Sequence, residues 1–537
     1  MHGKIGQDRN QLFTTCLDDY IEPDNPVREI ERIISEIVSS FDHRYLRGQS
    51  RRGCRAYSTE DLLCLYVYGY LNGITSSRQL ERAARINLEV SWLLKNNHPS
   101  YKTIADFRKD NQEIVMLVFY QLVEKLSLGE YITGKLVVVD GNKTKANAKR
   151  EMHSAKKLKK QIEAISKDVE TYLRELEEAD KKEAEAEKSS DSSKDDTDEA
   201  APISSSIQER LAEAQANLSE KQSLLDQMTE SKKNYLSPTD TDASLVTTRR
   251  GKVAGYNPQY TVDSAHHMIM DVLVSTDSND KRMLYPSLKH LVEHTSIVPE
   301  VILADKGYTN FEDIRKVHNE ISNQVYVSLQ RSSRDSLDLL FEYDSHRNIY
   351  ICPQGRTLTL YKKHVKVKNS FADYYKCESC AGCPQTEQCR KDKRSRKIDR
   401  IFLRYEHQEF IDAYKEKMKQ ANLKNLMKTR KSIIEHVFGT ISCNMHYNGF
   451  RLRSMAKVQI EAYLHAIAYD LKRLFNIVMP PGSRPFIVNN SILRDNSVQN
   501  RERSLIFNVF SQILLSWLLK LGLLSRPCHF DHILTEA

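Results

Sequence analysis

The chain lacks a long uninterrupted apolar run. Its most hydrophobic stretch, LIFNVFSQILLSWLLKLGLL at 505–524, is broken by Asn508, Gln512, Ser516 and Lys520. Its apolar residues Ile506, Val509, Phe510, Ile513, Leu514, Trp517, Leu518 and Leu521 recur at helical spacing, which predicts an amphipathic helix rather than a membrane span. The first residues, MHGKIGQDRN, lack the basic-then-apolar pattern of a secretory signal. A reducing cytoplasm and no membrane partner are therefore expected. Cysteine is sparse, ten residues in 537, and in a reducing compartment clustered thiols point to metal rather than to disulfides. Acid is in deficit overall, giving a net charge of +8. Residues 170–200 carry a local net of −8, so the remainder carries +16. A basic body of this kind suits a polyanionic partner, because Lys and Arg displace counterions from phosphate.

At 537 residues the chain is too long for one ordinary domain. Residues 1–130 carry helical patterns. Pro26 opens VREIERIISEIVSSF, with Val27, Ile30, Ile33, Ile34 and Ile37 on one face, and Ser58 or Thr59 caps a second run. A turn falls at Asn72-Gly73, and Ser100 or Thr103 starts a further helix. Arg51, Arg52, Arg55, Arg78, Arg82, Arg85 and Arg108 lie on or between these helices and are candidates for DNA-backbone contact.

From 135 the pattern turns to strands. KLVVVD, QYTVD, HMIMDVLVS, EVILAD and QVYVSLQ are strands, with the second and third forming a hairpin; MLYPSLKHLVEH and FEDIRKVHNE are helices. The order β-β-β-α-β-α-β predicts a mixed sheet flanked by helices, a domain spanning 135–478. Two insertions interrupt it. In 151–235, Leu158, Ile162, Ile165, Val169, Tyr172 and Leu176, then Ile207, Leu211, Ala214, Leu218, Leu225 and Met228, follow a heptad with Lys221 as its one polar seam position. This predicts an antiparallel coiled-coil hairpin whose Ser-rich tip, 187–206, is disordered. In 331–425, Cys352, Cys377, Cys380, Cys383 and Cys389 have the spacing of a structural zinc site that needs four of the five. Residues 479–537 form a carboxyl-terminal extension.

Three acidic residues carry the chemistry. Asp140 and Asp305 each close an apolar strand, and Glu435 lies on a helix. Carboxylates placed this way can converge on Mg²⁺, with Mn²⁺ as an alternative, and a pair of ions about 3.5–4 Å apart would activate water for phosphodiester chemistry. Arg430 and Lys431 precede Glu435 by five and four residues, one helical turn, where they could hold a phosphate.

These segments resemble a known family. KLVVVDGNKTKANA, VILADKGYTN and RKSIIEHVFGTIS, with LYVYGYLNGITSSRQLERAARINLEVSWLL, TIADFRKDN and EAYLHAIAYDLKRL, are similar to bacterial insertion-sequence transposases of the DDE superfamily, in the branch with a helical amino-terminal domain and a cysteine-rich insert. The resemblance runs from about residue 8 to 478. It implies an α/β fold with an RNase H-like catalytic domain and metal-dependent cleavage and transfer of DNA strands. It also implies binding to terminal inverted repeats and target DNA as a homodimer, in a nucleoid-associated location. On this pattern Asp140, Asp305 and Glu435 are the catalytic metal ligands, and Arg78, Arg108, Lys143, Arg430, Lys431, Arg451 and Arg453 are DNA contacts. The sequence departs from the family at two points: Ser442 stands where a Lys is usual, and Asp470 where AYN is usual. A decayed copy that binds DNA ends without cutting is the alternative expectation.

Overall fold

The computed structural model of the chain describes residues 16–41, 56–149, 152–189, 200–231, 233–248, 251–329, 341–367, 370–380, 382–385, 389, 399–420 and 422–479. Arg51, Arg52, Arg55 and the extension from 480, with its amphipathic helix, lie outside the described residues. Among the described residues no helix is long and apolar enough to cross a membrane.

Six helices come first: α1 (Pro26–Ser39), α2 (Thr59–Leu71), α3 (Ser77–Ile86), α4 (Leu88–Leu93), α5 (Tyr101–Asp110) and α6 (Gln112–Leu128). Their starts follow local chemistry. Asn25 caps α1 by accepting from Val27 N at 2.9 Å, with Pro26 at the first helical position, and Ser100 caps α5 through Thr103 N at 3.2 Å. The five apolar positions of α1 read from its period are all buried. Gly73 takes a φ of 70°, the left-handed conformation that ends α2 in a tight turn.

The main sheet holds β1 (Leu136–Gly141), β2 (Thr144–Lys145), β5 (Ser244–Thr248), β6 (Gly251–Asp263), β7 (Ile269–Ser275), β8 (Val301–Ala304) and β9 (Gln324–Val327), in the path β2-β6-β1-β8-β9 with β5 and β7 also on β6. β6 and β7 form the expected hairpin, and β1, β8 and β9 run parallel. Helices α9 (Leu284–His294) and α10 (Phe311–Glu320) make the crossovers. A long helix, α13 (Met455–Val478), packs against β7, α2 and α6, so one hydrophobic core runs from the amino-terminal helices into the sheet. Side chains of α13 complete backbone hydrogen bonding in β7: Gln459 bonds both Val274 N and Val272 O at 2.7 Å, and Asp470 accepts from Ile269 N at 2.8 Å.

The arm is a helical hairpin of α7 (Ala155–Ser189) and α8 (Ala200–Ser231), with a short ladder of β3 (His153–Ser154) and β4 (Tyr235–Leu236) at its base. Leu158, Leu224, Met228 and Leu236 form its apolar base, and Lys221 sits in the seam with its side chain 20% exposed. The expected disorder of 187–206 is corrected where it can be seen. Residues 187–189 and 200–206 are helical, because the charged and Ser-rich sequence continues two helices already paired below; 190–199 lie outside the described residues.

A second, antiparallel sheet runs in order from β10 (Glu342–Asp344) through β11 (Ile349–Ile351), β12 (Thr357–Val367) and β13 (Ser370–Cys377) to β14 (Ile401–Tyr405). The 331–425 insertion ends earlier than its sequence suggests. Helix α11 (Gln408–Gln420) returns to the main body, burying Tyr414 and Met418 in the core under β8 and β9. The Tyr414 hydroxyl accepts from Val327 N at 2.9 Å. Helix α12 (Leu423–Gly439) then carries Arg430 and Glu435 past β1 and β8.

Candidate active site

Val137, Val138 and Val139 are wholly buried, which fixes β1 in the centre of the sheet. Val139 pairs in register with Ala304 of parallel β8, so the next residue on each strand is an aspartate, Asp140 and Asp305. Adjacent strands lie about 4.8 Å apart. Asp305 leaves the sheet and caps the short 3-10 turn Lys306–Tyr308, its Oδ1 accepting from Gly307 N at 2.5 Å.

Asp140 is 19% exposed. Its Oδ2 accepts from Arg430 Nη1 at 2.5 Å and its Oδ1 from Gly141 N at 2.9 Å. Burial pushes its carboxyl up to about 6; the Arg430 charge opposes this shift and the Asp305 charge adds to it. A buried carboxylate repelled by a neighbouring carboxylate is stabilised by a cation, and hard oxygen donors of this type suit Mg²⁺ or Mn²⁺. The donor chemistry of the pair therefore fits such an ion. Among the described residues no three or more His, Cys, Asp or Glu side chains are gathered as a ligand set. The pair would share an ion with water or substrate phosphate, the usual manner of holding Mg²⁺.

Glu435 is not brought to this pair in the arrangement seen. It is exposed and pairs with Lys431 at 3.5 Å. Arg430, Ile434 and Val437 take the inward face of α12, and Glu435 lies to one side of it. Arg430 contacts the Asp140 carboxylate. The other basic candidates divide. Arg78 is exposed beside the Tyr101 ring at 5.2 Å, Lys143 is half-buried beyond β1, and Arg453 is exposed and donates to Asn147 O at 2.9 Å. Arg451 is exposed and donates to the Thr75 hydroxyl.

Arg108 is a correction. It is 7% exposed, donates to the Tyr70 hydroxyl at 3.1 Å and Thr75 O at 3.5 Å, and lies 5.5 Å from the Tyr66 ring. Its place one turn after Ile104 and next to Phe107 puts it on the apolar face of α5, out of reach of DNA.

One acidic residue near the pair escaped the sequence reading. Asp280, between β7 and α9, accepts at Oδ1 from the buried amides of Asn257 at 2.7 Å and Gln259 at 3.1 Å. Asn257 and Gln259, polar side chains wholly buried two residues apart on β6, were the available signal.

The five clustered cysteines line one cavity of about 30 Å³ with Phe341, Leu358 and Arg400. None of them is in a disulfide. Burial, and then the neighbouring Cys380, pushes the Cys377 thiol up to about 11, and Cys380 Sγ accepts from Arg400 N at 3.2 Å. The thiols are thus brought together as expected, but not gathered into a tetrahedral ligand set.

A family model described as Transposase DDE domain matches residues 351–475, and one described as Transposase domain (DUF772) matches residues 15–110. The first includes Glu435 and all five clustered cysteines but neither Asp140 nor Asp305. Neither a curated protein nor a solved structure matches the chain.

Proposed function

The chain belongs to the insertion-sequence transposases of the DDE superfamily, and from that premise we propose that it cuts and joins DNA at the terminal inverted repeats of such an element. The observation that carries this reading is the pair Asp140 and Asp305 on adjacent parallel strand ends, with Asp140 largely buried and ion-paired to Arg430. A divalent ion bound there would lower the pKa of a water or a 3′-hydroxyl and offset charge on the leaving oxygen. The protein's own residues do the positioning. Burial of β1 fixes the Asp140 backbone, the turn at Lys306–Tyr308 fixes Asp305, and Arg430 holds the Asp140 carboxylate and opposes the upward shift that burial imposes, until a cation or phosphate competes for either group. Glu435, on α12, is the third member of the set when DNA is bound; the Lys431 pair it must leave is exposed and weak, about 0–1 kcal/mol. The strand order, with a parallel neighbour beside a central first strand and an antiparallel hairpin beyond it, supports an RNase H-like reading of residues 135–478. Arg78, Lys143 and Arg453 contact the DNA backbone, and four of the five clustered thiols, which line one cavity, would close on a structural Zn²⁺ when it binds.

The test is to incubate the purified chain with DNA carrying the flanking inverted repeats and Mg²⁺, and to resolve cleaved and joined products. Cleavage followed by joining is expected. Cleavage alone would identify a nuclease. Salt-dependent binding of the ends without either product would identify an end-binding protein and overturn the reading.

A further inference from the structure

Gly141 follows Asp140 on β1, and strand pleating turns it to the opposite face, the one Val139 shares with Leu284 and Leu288 of α9. On that face a Cβ at Gly141 would lie 2.5 Å from Asp280 Oδ1, 2.7 Å from Gln259 Nε2 and 2.9 Å from Asn257 Oδ1. Only glycine lets Asp280 lie over the end of β1. The two amide donors hold Oδ1 and fix the carboxylate plane. The free rotation of the group is thereby lost and Oδ2 is aimed elsewhere. A Cβ at Gly307 would lie 2.8 Å from Asp305 Oδ1 and 3.4 Å from Asp280 Oδ2, so two carboxylate oxygens flank the small gap that Gly307 leaves. A second, independent observation lies on the Oδ1 side of the same Asp280 carboxylate. Asn257 is wholly buried, and its Oδ1, facing the space over Gly141, has no hydrogen-bond partner. A buried oxygen in that state lacks compensation that a cation or its bound water supplies.

We propose that Asp280 is a further ligand of the catalytic centre, sharing a divalent cation with Asp305 from the α9 side of the sheet while Asp140 faces α12. Asn257 and Gln259 are its positioning residues, orienting the carboxylate as outer partners orient metal ligands. Tyr308 extends this support: it is wholly buried, and its hydroxyl donates to Gln259 Oε1. The assignment rests on the reading of Asp140 and Asp305 as the ion-binding pair.

The experiment measures Mn²⁺ binding to the full chain without DNA, by calorimetry and by the loss of the free-ion EPR signal. Four variants are compared with the wild type: D280N, G307A, D140N and, as a charge control, D277N, an exposed acid three residues away. D280N is isosteric and retains the oxygen that Asn257 and Gln259 hold. G307A fills the gap without touching the amides. Both should weaken Mn²⁺ by about 10–100-fold, and D277N should stay within twofold. Wild-type affinity in D280N and G307A alongside a loss in D140N would overturn the role of Asp280 and leave the Asp140–Asp305 reading standing. An equal loss in D277N would reduce the effect to overall charge and overturn the assignment. No specific binding by the wild type would overturn both readings together.

Discussion

Burial raises the carboxyl of Asp140 to about 6, from an ordinary value near 3.9, so the folded state prefers it protonated. Its favourable contribution is complete below the unfolded value and is lost as pH rises through about 6. D140N, neutral at every pH, should therefore be more stable than the wild type at pH 8, by as much as about 3 kcal/mol, and the gain should vanish near pH 4. Thermal denaturation at the two pH values checks both statements. An unchanged difference would mean that the environment of Asp140 is not the one described. Arg430 acts in the opposite direction, so R430M should raise the Asp140 pKa further and move the loss of Mn²⁺ binding on acidification to higher pH. Arg108 separates packing from recognition. R108M leaves the Tyr70 hydroxyl and Thr75 O without their donor and should cost about 1–3 kcal/mol. It should leave the salt dependence of DNA binding unchanged. R453M should do the reverse, lowering the slope of log affinity against log salt by about 1 with little change in stability.

Among the elements, the strands and helices around the site were legible because each carries one dominant period. β1 and β8 are apolar runs ended by Asp, α1 has a single apolar stripe, and the arm follows its heptad to the Lys221 seam. What was not legible depends on tertiary placement. Asp280 sits in the aperiodic DSND loop and becomes notable only once Gly141 and Gly307 open space around it. The inward face of α12 was also misjudged. Ile433, Ile434 and Val437 share the burial, and that set turns Arg430 inward and Glu435 aside. Residues 408–420 read as insert because the cysteines are near in sequence, although their apolar side is completed by β8 and β9. Packing of α2 on α3 makes a sharp case. A Cβ at Gly69 would meet Leu80 Cδ2 at 2.5 Å and Ile74 O at 2.6 Å, the latter a backbone atom that cannot step aside. G69A should destabilise the chain by about 1–3 kcal/mol, measurable as a lower denaturation midpoint. The arm is different, since its seam is internal. Removing 163–220 above the Leu158–Met228 base, with a short linker, should leave end cleavage within a few fold of the wild type; complete loss in folded protein would assign the arm to the active complex.

At the scale of the whole molecule, the amino-terminal helices, the sheet and α13 share one core, whereas the cysteine-lined insert has a small apolar cluster of its own around Phe341, Tyr350, Leu358 and Tyr375. The main body should unfold as one cooperative unit and the insert separately. C377S/C380S, or a strong chelator, should lower only the insert's transition and reduce the zinc found by elemental analysis from about one per chain to none. A main-body transition that moves equally would contradict this division.

The most direct test of the central claim, that the strand-end aspartates hold the ion that acts on DNA, is anomalous diffraction from the protein bound to end DNA and Mn²⁺. The account predicts a manganese peak within bonding distance of both Asp140 and Asp305, with the Arg430 guanidinium displaced from Asp140. Manganese found only elsewhere, with Arg430 still on Asp140, would contradict it.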